Sequence, residues 1–162
     1  MDAVRTDAGG TLVHSTYRQI GTPKHPAAAQ AMAFWKARPA DGIVIGRDVP
    51  SRAIASQLNR IMVLEPLEAG RDLRVRVAGD AVRERFKGEI AGRTFSDLFR
   101  RHDAAERIAL VMTAIAEEAP RFADCVIAGG SLEISHTEHV ILPVFAPGRA
   151  ARWAMIVCCF FA

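Results

Sequence analysis

The sequence predicts an α+β domain built on an antiparallel sheet, and three observations carry that prediction. Two β-rich runs, Ile61 to Leu67 and Leu73 to Gly79, flank Glu68-Ala69-Gly70-Arg71-Asp72 and read as a hairpin. One clear helix runs from about Asp103 to Ala119, with Ile108, Met112 and Ile115 on its apolar face. The last third reads as strand, with Pro147-Gly148 as the turn between its final two runs.

Taken in order, Met1 to Lys24 has weak periodicity broken by Gly9-Gly10, Gly21 and Pro23, and reads as a partly ordered lead-in over 1–24. A single domain over 25–162 follows. Its first helix spans His25 to Arg38, with Pro26 suited to the first helical position and Pro39 as the stop. Gly42, Gly46 and Pro50 predict an irregular connection over Asp41 to Arg52, and Ala53 to Asn59 a short helical segment. After the hairpin, Asp80 caps a short helix to Phe86, and Thr94 to Phe99 forms another. Asp103 with Glu106 makes a capping-box-like start to the long helix, and Pro120 follows its end. The late strands are Phe122 to Ala128 or on to Ile134, then His139 to Ala146, then Trp153 to Phe161. Gly129-Gly130 marks a turn or bulge in the first of these.

The last two strands are apolar on both faces. Val140, Leu142 and Val144 alternate with Ile141, Pro143 and Phe145, and Trp153, Met155 and Val157 with Ala154, Ile156 and Cys158. A sheet with one wet face alternates with polar residues. Both faces therefore need cover: the central helices for one, and the first helix with Phe34 and Trp35, or a second copy of the chain, for the other.

At 162 residues the chain buries roughly 70% of its unfolded surface, enough for a core without disulfides or metal. The 21 Lys and Arg are spread out and answered by 18 Asp and Glu, for a net charge of +3. That pattern lacks the clustered basic footprint of a nucleic-acid binder. Cys125, Cys158 and Cys159 are an odd set, and adjacent strand residues point to opposite faces, so they read as buried small hydrophobes in a reducing compartment. Asp2, Arg5 and Asp7 make the N-terminus unlike a signal peptide, and the longest apolar run, Ala154 to Ala162, is too short to span a bilayer. A cytoplasmic protein with no membrane partner is expected.

Several segments carry a family likeness. They are the helix ending Phe34-Trp35 with the following Arg47, Asp48 and Pro50; the strand Arg74-Val75-Arg76-Val77-Ala78-Gly79; Gly88-Glu89-Ile90-Ala91-Gly92-Arg93 leading into Phe95-Ser96-Asp97-Leu98; and Val140-Ile141-Leu142-Pro143-Val144 with its Pro147-Gly148 turn. From about Ala31 onward the chain resembles a PAS family of alphaproteobacterial proteins. It departs from that family's pattern at Val75, where an aromatic is usual, at Asp80, where a small hydroxyl residue is usual, and at Gly46-Arg47, where proline-arginine opens the loop. The resemblance implies a five-stranded antiparallel sheet in the order 2-1-5-4-3, helices on one face and the N-terminal helix on or near the other. It implies a pocket between sheet and long helix, and signalling through the outer sheet face or the N-terminal helix. The function implied is sensory or regulatory, binding a small molecule, a protein partner or both, with no catalysis and no cofactor that can be named. A homodimer using Phe34 and Trp35 at its interface is expected.

The chemistry-bearing residues fit that picture. Arg76 and Arg93 are the polar candidates for a ligand site, since an arginine fork grips carboxylate or phosphate; equally, Arg76 suits a wet strand face and Arg93 a pairing with Asp97. Ile108, Met112 and Ile115 serve as core and, by the resemblance, as pocket lining. His136 and His139 lie three apart in strand context, on opposite faces, which argues against a metal pair with Glu138 or Cys125. Glu133, Ser131, Ser135 and His136 lack the nucleophile elbow of a hydrolase. Ala128-Gly129-Gly130-Ser131 is followed by strand residues and not by the helix a phosphate cradle needs. His102 reads as capping territory. The enzyme reading would rest on Arg76, His136 and His139, and a third reading is a structural dimerisation module.

Overall fold

The computed structural model describes residues 14–128 and 134–162. Its sheet has six antiparallel strands in the order β1-β4-β5-β6-β2-β3. They are β1 (His14–Ile20), β2 (Ile61–Leu67), β3 (Asp72–Ala78), β4 (Arg121–Ala128), β5 (Ile134–Phe145) and β6 (Arg152–Phe160). The expected five-stranded sheet is thus corrected: β1 arises within what reads as lead-in and pairs along all of its residues with β4. The helices are α1 (Pro26–Lys36), α2 (Asp80–Phe86), α3 (Phe95–Leu98) and α4 (Arg101–Glu117). Gly129-Gly130, Ser131 and Glu133 lie outside the described residues.

Two apolar cores sit on the two faces of the sheet, as strands apolar on both sides require. On the inner face, α4 and the short helices pack Val82, Phe95, Ile108 and Val111 against Leu64, Val75, Ile141 and Ile156. On the outer face, Ala27, Ala28, Ala31 and Phe34 of α1, with Ile43, Ile45, Val49 and Ile54, cover Val63, Leu142, Met155 and Val157. Among the described residues the outer cover therefore comes from the chain's own first helix and the segment after it. That segment, expected to be irregular, is anchored by Ile45 N–H donating to Phe145 O and Phe145 N–H to Ile43 O. Arg47 ties it further by pairing with Asp41 and Asp48.

The entry to α1 is fixed by a buried carboxylate. Glu138, 2% exposed on the outer face of β5, accepts hydrogen bonds from the backbone N–H groups of Lys24 and His25. His25 then caps the helix, its Nδ1 accepting from Ala27 N–H. That leaves Nε2 protonated to donate to Phe160 O at 2.9 Å. One histidine so joins the start of α1 to the end of β6. His136, on the same face, stacks on Phe161 and bonds Asp124.

Two expected caps move by a few residues. Gly79, not Asp80, is the N-cap of α2, and α4 opens from Arg100, which leaves Asp103 inside the first turn and buried. Thr94 and Asp97 form a reciprocal capping box on α3. Between β2 and β3 the register slips between Val63 and Leu64, leaving Arg76 as the extra residue of a bulge.

Candidate functional site beneath the long helix

The long helix carries a charge inside its apolar stripe. Ala104, Ile108, Val111, Ala114 and Ile115 recur at helical spacing and pack on the inner sheet face. Arg107 falls on the same stripe and is 3% exposed. Asp103, one turn earlier and therefore on the same side, is 2% exposed.

Several elements meet at the Arg107 guanidinium. It lies over the ring of Tyr17 from β1 at 4.3 Å and over that of Phe99, just beyond α3, at 4.7 Å. Its Nη1 donates to Asp103 O and its Nη2 to Cys125 Sγ on β4 at 3.3 Å. Tyr17 Oη is hydrogen bonded to His139 Nδ1 on β5 at 3.1 Å. Tyr17 is registered opposite Cys125, and His139 opposite Ala123, which puts these side chains side by side on the inner face. The result is a small polar cluster in an otherwise apolar core, at the place between sheet and long helix where the resemblance implies a pocket.

The cluster has one clear electrostatic consequence. Burial, and then the Arg107 charge, hold the His139 imidazole down at about 3, so it is neutral in the folded protein at ordinary pH. An unfolded chain binds that proton below about 6.5 while the native one does not. Stability is therefore full above this value and lost as pH falls toward 3. Between pH 7 and pH 5 the loss from this group is of the order of 1–2 kcal/mol. A melting series over that range, compared with His139→Phe, should show the variant's profile flatter; equal slopes would place the acid sensitivity elsewhere.

The residues singled out from sequence are divided by the fold. Ile108 and Ile115 are buried in the inner core, and Met112 packs at its margin, where its Cε lies 2.8 Å from where a Cβ on Gly70 would stand. Arg76 is exposed on the outer side, paired with Glu65 at 3.5 Å and set over Trp153. Arg93 is exposed, and its carbonyl accepts from Val75 N–H; Asp97, its expected partner, caps α3. Phe34 is 8% exposed against its own sheet, and Trp35 is half-buried beneath Arg38. His136 and His139 lie on opposite faces, and no group of three His, Cys, Asp or Glu suited to a metal occurs among the described residues. Cys158 and Cys159 face opposite cores, and all three cysteines are free thiols. An open surface cleft of about 410 Å³ lies elsewhere, lined by Ala55, Ser56, Leu58, Asn59, Gly79 and Asp80.

Sequence reading missed Arg107, Tyr17 and the role of Cys125. The signal for Arg107 was present: it stands three residues after Ala104 and four before Val111, on the face the aliphatic residues define. No helix among the described residues is long and apolar enough to cross a membrane. Compared with known families, residues 23–153 match a model described as PAS domain. No curated protein and no solved structure matches the chain.

Proposed function

The chain belongs to the PAS domain family, and from that premise we propose that it is a sensory or regulatory module that binds a small molecule on the inner sheet face and reports to a protein partner. A sensory or regulatory role is the general one for this family. The observation that carries the finer reading is Arg107, an ion held almost wholly out of water beneath the long helix, between two aromatic rings. Burying an ion gains little stability against an apolar replacement, so a charge in this position is better explained by specificity than by stability. The site is non-catalytic in this reading. Arg76 and His136 on the outer side and His139 on the inner side have no common space in which to act together.

Output runs through α1. It covers the outer face, and the Glu138 and His25 bonds tie its start to β5 and β6, strands whose inner sides meet α4. Ligand-dependent movement on the inner face is thereby passed to a surface a partner can read. A thermal-shift screen of metabolite-sized molecules tests this. A molecule that raises the melting temperature should lose its effect when Arg107→Met is combined with Asp103→Asn, a pair that removes the buried ion while keeping volume. A ligand bound equally well by this double variant would remove the site from the proposal. Absence of any ligand or partner would remove the function.

A further inference from the structure

The two edges of the sheet are treated differently. Beside β3 the chain covers its own edge: Val75 N–H donates to Arg93 O at 2.9 Å, Gly92 N–H to Val75 O at 2.7 Å, and Arg74 bridges Thr94. At the other end β1 pairs with β4 along its whole length, and among the described residues nothing pairs with its far side. His14–Ile20 has no proline, no lysine and no bulge in its register, and its one arginine, Arg18, lies toward Asp124 of the neighbouring strand at 3.9 Å.

We propose that two copies of the chain pair antiparallel through these β1 edges, centred on Tyr17, so that the two sheets join and the Tyr17–Arg107–His139 clusters of the two copies become neighbours. Tyr17 is the middle of the strand, and only a two-fold axis there brings all of His14–Ile20 into register with itself. In that register the pairs of the central five residues suit one another. Tyr17 meets the partner's Tyr17, Ser15 the partner's Gln19, and Thr16 the partner's Arg18. No like charges are opposed. Arg18 is free to serve, since its side chain is 76% exposed and only loosely paired with Asp124 at 3.9 Å. The same strand that seals the buried arginine then forms the contact between copies. This inference stands apart from the sensory reading and holds whether or not a small molecule binds.

Analytical ultracentrifugation of the full chain across a concentration series tests it, with Thr16→Lys and Thr16→Glu. Thr16 is exposed, so both variants should keep the parent melting behaviour. Thr16→Lys opposes the partner's Arg18 twice across the two-fold and should weaken the dimer by about five-fold or more. Thr16→Glu opposes it with the opposite sign and should tighten the dimer. The order Glu, parent, Lys in dimer strength supports the pairing. A monomer at all concentrations, or a dimer whose strength ignores the sign of residue 16, overturns it.

Discussion

Replacing Arg107 with alanine should cost the domain about 2–5 kcal/mol, the range for emptying the space of a large buried side chain. The substitution removes a guanidinium that is 3% exposed, empties the space between Tyr17 and Phe99, and withdraws the donor to Cys125. It also withdraws the donor to the Asp103 backbone carbonyl. The cause is separable by experiment. If the two buried ionisable residues of this helix side are coupled, Asp103→Asn together with Arg107→Met should recover more of it than Arg107→Met alone, because neutralising both is milder than removing one. If the loss reflects packing alone, Arg107→Met by itself should recover as much as the double variant. Urea unfolding of the three variants distinguishes the two.

Gly79→Ala should be at least as damaging, by about 3 kcal/mol or more, for a purely steric reason. Gly79 follows β3 directly and caps α2, and its N–H donates to Ile61 O. A Cβ at this position would lie inside the van der Waals boundary of the backbone carbonyls of Leu58 and Asn59. Those atoms belong to the 3-10 segment Arg52–Arg60, which carries buried Ile54 and Gln57, so no flexible side chain can swing aside. Relief requires the whole junction between that segment, β3 and α2 to move. Gly88→Ala is the matched control: a Cβ there meets nothing within 4 Å, and its backbone is not left-handed. It should be neutral or slightly stabilising, since alanine restricts the unfolded chain. Equal thermal shifts for the two variants would contradict the close-approach account.

Much of the fold was legible because its signals are local. The hairpin of β2 and β3 follows from two β-rich runs around a turn, and α4 from its apolar spacing. The need for cover on both faces followed from the alternating apolar residues of β5 and β6, and α1 meets it with Ala27, Ala31 and Phe34. What was not legible depended on partners distant in sequence. His14–Ile20 has polar residues on both faces, so no hydrophobic alternation marks it as strand; pairing with β4 makes it one. The start of β5 at Ile134 was hidden for the same reason, since Thr137 and Glu138 are polar yet buried by their surroundings. Arg76 was singled out for its guanidinium chemistry, with a wet strand face as the other reading; it stands at a bulge, exposed on the outer side over Trp153.

The candidate site was less legible than the fold. Its aliphatic part, Ile108 and Ile115, was visible as a helix face. Its polar part draws on β1, β4, β5 and the residue after α3, which no spacing rule connects. Arg107 alone could have been found from the helix, as a charge standing where the stripe calls for an aliphatic residue.

The account turns on whether the inner face holds a molecule that depends on the buried arginine. Native mass spectrometry of the chain purified from its own host reads this directly. A small molecule should be retained by the parent chain. The small molecule should be lost from the double variant of Asp103 and Arg107 while the fold persists. A parent spectrum showing the bare chain only, under conditions that keep it folded, would contradict it.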